Sequence, residues 1–319
     1  MKASKARYWK IKPNHAGTTW KNINKYRALI IMMLPCVIIL FTNQYLPIFG
    51  LLIAFKNVNY RDGIFFSPWV GLQNFKFLFA TDAAWRITRN TIAYNLLFIS
   101  VGLVLNVSVA IALNEITSKL KKKVYQTFMI LPNFLSMVVV TYVVYALISP
   151  TGFLNSSILS YFHIDPINWY GEPKYWPYIL PITKFWHSVG YGSIIYIAAL
   201  TSIDNQLYEA ACIDGANKWQ QIRRITIPSL KTMMTISVVL ALGNIIKGDF
   251  GLFYQIPMNS PQLYPVTDII DTYVYRSLLV LNDIGMASAA GFYQSIVGFV
   301  MVLMANLLVR KIDKEQAIL

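Results

Sequence analysis

Six side chains stand where their surroundings make them costly. Asn244, Lys247, Asp249 and Tyr254 fall in one hydrophobic stretch, and Tyr293 and Gln294 in another. Ionisable and amide groups in such stretches usually face a bundle interior or an aqueous cavity. Asn244 and Lys247 are three apart and would share a helix face. Lys247 and Asp249 are close enough in the chain to neutralise one another. Tyr94, Asn95 and Asn106 in a third stretch, and Lys184, Trp186, His187 and Tyr191 in a fourth, add rings and donors. This is the chemistry of hydrogen bonding and ring stacking to a polar solute; the alternative for each residue is a bond to a neighbouring helix. No catalytic or metal site accompanies it. His15, His163 and His187 lack metal-ligand spacing, and HExxH, GxxxxGK[ST] and GxSxG are all missing.

A second constellation is Glu209-Ala210-Ala211-Cys212-Ile213-Asp214-Gly215-Ala216. Leu207, Ala210, Ala211 and Asp214 recur at i, i+3, i+4 and i+7, one helix face kept flat by the alanines. Glu209 is expected in the early turns, where a carboxylate suits the positive end of the helix dipole. Asp214-Gly215 supplies a turn whose glycine can take positive φ. A second helix over Asn217–Arg224 should end before Pro228, giving a short helix-turn-helix along a membrane surface.

The elements that must carry these groups are membrane spans. The 319 residues are 56% hydrophobic and only 13% charged, too apolar for a soluble domain. Six stretches reach spanning length: Ala28–Leu52, Ile92–Leu113, Val124–Ser149, Tyr178–Leu200, Thr232–Phe250 and Ile284–Val309. The expected fold is all-α and polytopic. The first stretch is too long for a signal peptide and lacks a small-x-small cleavage site. Cys36 lies in that stretch and Cys212 in a polar loop, so no disulfide is expected.

Most of the 28 lysines and arginines fall to one side. They occupy the leader Met1–Arg27, the loop Lys119–Lys123, the loop Lys218–Lys231 and the tail from Arg310. The positive-inside bias makes that side cytoplasmic, with both termini inside. Topology thus accounts for the net charge of +14 without a nucleic-acid partner. The aromatic leader should lie on the inner leaflet against membrane lipid. On the other side are Phe55–Thr91, Pro150–Pro177 and Gly251–Asp283, whose rings suit an interfacial belt or a docking surface for a soluble partner.

Glu-Ala-Ala, Asp-Gly-Ala and an Ile-x-x-Ile-x-x-Pro-like ending, placed before the penultimate span, resemble the coupling loop of permeases in binding-protein-dependent ABC importers. Ile222 stands where phenylalanine is usual, and Ile203-Asp204 replaces a typical Ile-Pro. Gly71-Leu72-Gln73-Asn74-Phe75 is similar to the "GLxNF" signature of sugar-type members, Arg89-Asn90-Thr91 to their "xNT" start, and Gly285-Met286-Ala287-Ser288-Ala289 to the opening of their last span. These motifs place the resemblance in the maltose/oligosaccharide uptake group. The leader length and the loop Gly251–Asp283 resemble the branch acting on complex or acidic saccharides.

The resemblance implies a type I importer permease fold with a transmembrane domain over 28–310, a coupling loop over about 201–228 and a tail over 311–319. It implies a bacterial inner-membrane location and a transport subunit without enzymatic activity of its own. ATPase coupling would fall to Glu209, Ala210, Ala211, Asp214, Gly215 and Ala216. The saccharide path would be lined by Asn244, Lys247, Asp249, Tyr254, Tyr293 and Gln294, with Asn244, Asp249 and Gln294 forming a transient sugar site. The implied partners are a second homologous permease, two ATPase subunits that bind ATP and Mg, and an extracytoplasmic solute-binding protein. The alternatives are a permease for a non-sugar solute, a secondary transporter, which would need inverted repeats or a coupling-ion site, and a membrane-embedded enzyme.

Overall fold

A computed structural model describes residues 25–59 and 61–312. Residues 1–24 of the expected leader and 313–319 of the expected tail lie outside the described residues. Those described are almost wholly helical, and their only β feature is one antiparallel bridge between Lys56 and Trp69. The chain forms two compact units, one ending at Leu52 and one beginning at Ile53.

Helix α1 (Arg27–Phe55) contains Pro35, a wider turn at Phe41–Tyr45 and a tighter winding from Leu46. None of its residues from Arg27 through Phe49 is buried, as suits a helix with hydrocarbon on its surface. The second unit contains α2 (Gln73–Ala80), α3 (Ala83–Asn114), α4 (Lys119–Ile130), α5 (Met137–Ile148), α6 (Trp176–Gly192) and α7 (Ile194–Thr201). It continues with α8 (Asn205–Ile213), the continuous run α9 (Lys218–Leu242), α10 (Ile270–Leu279) and α11 (Ile284–Ile312).

Among the described residues, α1, α3, α9 and α11 are long and apolar enough to cross a membrane. A fifth candidate is the segment holding α4 and α5, which bends by 100°. Sequence reading drew it as one straight span, but Pro132 and the serine cap at Ser136 break it. Ser136 accepts from Val139 N–H at the start of α5 (3.4 Å), and His187 Nε2 lies 3.2 Å from the freed carbonyl of Leu135. The expected fourth span is helical but divides at Ser193 into pieces of 17 and 8 residues.

Helix α3 is the spine of the second unit. Its N-terminal part packs Ala83, Ala84 and Ile87 against Ile246, Ile270, Tyr273 and Ala290. Its C-terminal part packs Val107, Ala110 and Leu113 against Tyr196, Ile197, Leu200 and Leu230. Between them Tyr94 joins a cluster with Val144, Trp176, Leu180 and Phe253. The sequence motifs meet in space. Asn74 Nδ2 donates to the carbonyls of Ala54 (3.1 Å) and Lys56 (3.0 Å), completing groups that the end of α1 leaves open. A Cβ on Gly285 would come within 2.9 Å of the Asn74 amide, so glycine leaves α11 room for it.

The expected loop Gly251–Asp283 is largely ordered helix. Its α10 lies against α11 and buries Ile270, Thr272, Tyr273 and Ser277.

Candidate functional site

The loop after α7 is a rigid reversal. Asp204 caps α8, its carboxylate accepting from Gln206 N–H at 3.0 Å. That corrects the expected place of Glu209, which is the fifth residue of α8. Asp204 therefore serves the positive end of the dipole, and Glu209 stands exposed on the second turn. The far end of α8 closes through a glycine. Ala216 N–H donates to Ala211 O (2.9 Å) and Gly215 N–H to Cys212 O (3.1 Å), with Gly215 at φ +76°.

Asn217 then starts α9 by reciprocal bonds with Gln220, both 2.9 Å. Gln221, 3% exposed, clamps the reversal by donating to Ala216 O at 3.1 Å and to Cys212 Sγ at 3.2 Å. The expected second surface helix ending before Pro228 is instead the start of α9. Pro228 sits near the start of a helical segment following a wide turn at Ile222–Thr226, so the run passes through it unbroken. Tyr208 and Thr226 hydroxyls meet at 3.0 Å, tying α8 to that wide turn. Ala210 and Ile213 remain exposed, Ile213 at 87%.

The polar groups of the fifth expected span are not on a helix. Helix α9 ends at Leu242, and Gly243–Asp249 is an unwound break, so Asn244 and Lys247 do not share a helix face. Backbone carbonyls and N–H groups freed at membrane depth need partners from protein. Asn95 Nδ2 donates to the carbonyls of Ile245 (2.8 Å) and Lys247 (3.1 Å). Gln294 Nε2 donates to Ile246 O at 3.1 Å and to Asp271 Oδ1 at 3.3 Å. Asp271 Oδ2 in turn accepts from Gly248 N–H at 2.7 Å. Replacing Gln294 with leucine should lower stability by about 1–3 kcal/mol through the orphaned Ile246 carbonyl. An unchanged thermal midpoint of the detergent-solubilised protein would show that the break holds itself.

Asp249 pairs with Lys184 at 2.7 Å and accepts from Leu252 N–H at 3.1 Å, so the alternative of a Lys247–Asp249 pair is not formed. The partner lies on α6, 65 residues away in the chain, where no local pattern could point to it. Asn244 Nδ2 donates back to Leu240 O at 3.2 Å. Tyr293 meets the Thr88 hydroxyl at 2.8 Å. Tyr254 stacks on Phe250, with centroids 5.0 Å apart and planes 14° apart, and both rings meet Tyr275 at 4.9 and 4.8 Å.

Sequence reading missed a buried ionic knot beside the break. The Asp268 carboxylate, fully buried, takes Arg276 at 2.8 Å, Arg86 at 3.4 Å and the Thr272 hydroxyl at 3.0 Å. Asn90 Nδ2 donates to the Asp268 carbonyl at 2.9 Å, and the Arg276 guanidinium lies 4.0 Å over the Tyr264 ring. A signal was present: Asp268, Thr272 and Arg276 recur every four residues, the spacing of one helix face. Gln221 and Asp271 carry no comparable pattern, and Asn95 was legible as a donor but not its partners in the break.

The sequence and the fold that carry these groups are similar to those of known proteins. Residues 99–314 fit the family model described as "Binding-protein-dependent transport system inner membrane component". The polygalacturonan/rhamnogalacturonan transport system permease protein YteP of Bacillus subtilis (strain 168) is 31% identical over 289 residues, covering 91% of this chain and 89% of the relative. The trehalose/maltose transport system permease protein MalF of Thermococcus litoralis is 26% identical, covering 91% and 96%. A chain in the crystal structure of a bacterial ABC transporter involved in import of the acidic polysaccharide alginate superposes with a TM-score of 0.83 at 34% identity, covering 92% of this chain and 98% of that one. Family model, sequence relatives and fold agree, and the chain belongs to the inner-membrane components of binding-protein-dependent transport systems.

Proposed function

We propose that this chain is one of two permease subunits of an ATP-driven importer that takes up an oligosaccharide handed over by an extracytoplasmic binding protein. The basic loops and both termini face the cytoplasm. Two ATPase subunits hold ATP and Mg there, and this chain contributes no catalytic group. Residues 28–310 form the transmembrane domain. The relatives support a saccharide: two are permeases for polygalacturonan/rhamnogalacturonan and for trehalose/maltose, and the solved structure is an alginate importer. A solved alginate transporter in complex with a pentasaccharide-bound periplasmic protein, 33% identical to this chain, supports the hand-over.

The observation that carries the mechanism is the clamped reversal Ala211–Ala216 between α8 and α9. Glu209, Ala210, Ala211, Asp214, Gly215 and Ala216 form a small-residue knuckle whose shape is fixed by the two turn bonds and by Gln221. Such a knuckle fits a cleft on an ATPase subunit, and its rigidity passes ATPase closure directly into α9. The solute then crosses beside the break Gly243–Asp249, where Asn244, Lys247, Asp249 and Tyr254, with Tyr293 and Gln294 of α11, gather polar groups.

The test is ATP hydrolysis by the reconstituted complex with and without loaded binding protein. Gly215→Val forces a β-branched side chain to φ +76°, and Glu209→Lys reverses an exposed charge without touching the core. Both are expected to cut the stimulation about tenfold or more while the spans still insert, a loss equivalent to at least about 1.4 kcal/mol of coupling. Full stimulation in both variants would reduce the reversal to a connector.

A further inference from the structure

Two cations of the polar layer have no carboxylate partner among the described residues: Arg89, which donates to Asn90 Oδ1 and Pro265 O, and Lys247, whose ammonium has no hydrogen-bond partner there. The carboxylate close enough in the chain to neutralise Lys247, Asp249, is held by Lys184 at 2.7 Å, and Asp271 is engaged by Gly248 N–H and Gln294. Among the described residues no carboxylate lies within ion-pair distance of the Lys247 ammonium, and the residue is exposed. A lone ammonium facing hydrocarbon is disfavoured, so such a lysine faces water or an anion. The layer around it is cationic: Arg86, Arg89, Lys184, Lys247 and Arg276 stand against Asp249, Asp268 and Asp271. Helix α10 connects two of these sites, Asn90 bonding to Asp268 just before it and Gly248 to Asp271 within it.

Three residues beyond Lys247 begins the ring trio. Phe250 and Tyr254 stack in parallel and Tyr275 closes on both, all three half-buried and so open on one side. Gly248 bonds to Asp271, and Tyr275 stands one helical turn further along α10. The strand of backbone bearing Lys247 therefore runs beside the helix that carries the third ring. Flat ring faces that begin three residues along the chain from an ammonium without a carboxylate partner are complementary to a pyranose ring that carries a carboxylate. A neutral sugar would use the rings and leave the ammonium unanswered.

We infer that Lys247 is the charge-selecting contact of the pathway and that the transported solute is an anionic saccharide of the uronate class, its carboxylate on Lys247 and a ring face on the Phe250–Tyr254–Tyr275 trio. This rests on the importer reading above and adds the charge of its substrate. The role is specificity: Lys247 touches the solute and takes no part in ATP chemistry.

The experiment measures uptake into proteoliposomes by the full complex, using trigalacturonate and a mannuronate trimer as anionic probes and maltotriose as the neutral one. Wild type is expected to accumulate an anionic probe in preference to maltotriose, with uptake falling as salt is raised. Lys247→Gln should lower anionic uptake roughly 10-fold to 100-fold at equal amounts of assembled complex and remove the salt dependence, and Lys247→Arg should restore both. Three results overturn the inference: anionic uptake by Lys247→Gln at the wild-type rate, wild-type uptake of maltotriose alone or of no probe, and equal loss for every probe with loss of permease pairing. The last would mean that Lys247 meets a carboxylate of the second permease. Failure of the importer reading itself looks different, because wild type would then show no stimulation of ATP hydrolysis by any binding protein.

Discussion

Asp268→Ala should leave the two guanidiniums of Arg86 and Arg276 without their common anion and cost about 3–5 kcal/mol, the usual penalty for breaking a buried ion pair from one side. The carboxylate is wholly enclosed, and Arg276 is 14% exposed, so water cannot replace the lost partner. Arg86 Nε already lacks a bonding partner, which leaves that side chain especially dependent on Asp268. The damage should reach α10, because Thr272 donates to the same carboxylate, whereas Asn90 of α3 holds the main-chain carbonyl and keeps its bond. The apparent melting temperature of the purified protein should fall on the order of 10 °C. Asp268→Asn keeps the shape and removes the charge. If it melts like wild type, hydrogen bonding rather than ion pairing holds the knot; if Asp268→Ala also does, the knot contributes nothing to stability.

Gly190→Val is expected to be worse. A Cβ at Gly190 would overlap the carbonyl of Met129, a backbone atom in α4 that cannot swing aside. Helices α4 and α6 cross here at backbone contact, the close approach that small residues permit between helices in a membrane. Relief requires pushing the helices apart, which also pulls His187 from Leu135 at the bend. The cost should exceed the ~1–3 kcal/mol of ordinary overpacking, and folded protein should fail to accumulate in the membrane. Gly192→Ala is the control. The three atoms nearest its Cβ all belong to the Asn106 side chain, which can rotate, so accumulation should stay near wild type. Equal accumulation of both variants would show that α4 and α6 separate freely.

The reach of sequence reading can be traced residue by residue. Glycine at 215 and the alanines before it announced the reversal, because a helix closed by a left-handed residue depends on local bonds between Ala211 and Ala216. The apolar lengths of α1, α3 and α11 were legible for the same reason: spanning is a property of one segment. What failed was long-range. Asp249 chose Lys184 rather than Lys247, and the fifth span stopped at Leu242 because Asn95 and Gln294 could serve an open backbone. The bend near Pro132 was marked by a proline and a serine, yet hydropathy alone ran straight through them. Gln294, expected on the solute path, gives both bonds of its amide nitrogen to the protein, a use that no local pattern announces.

The unbroken run from Lys218 to Leu242 has a mechanical consequence. Its 25 residues extend about 37 Å at 1.5 Å each, from the clamped reversal at one end to the unwound break at the other. A rod of that length is a lever: tilting its foot by about 5° carries the far end about 3 Å. Gly243–Asp249, held there by side-chain bonds from α3, α6, α10 and α11, is where such a displacement would be absorbed, so the same carbonyls that Asn95 and Gln294 now satisfy would be first to change partners.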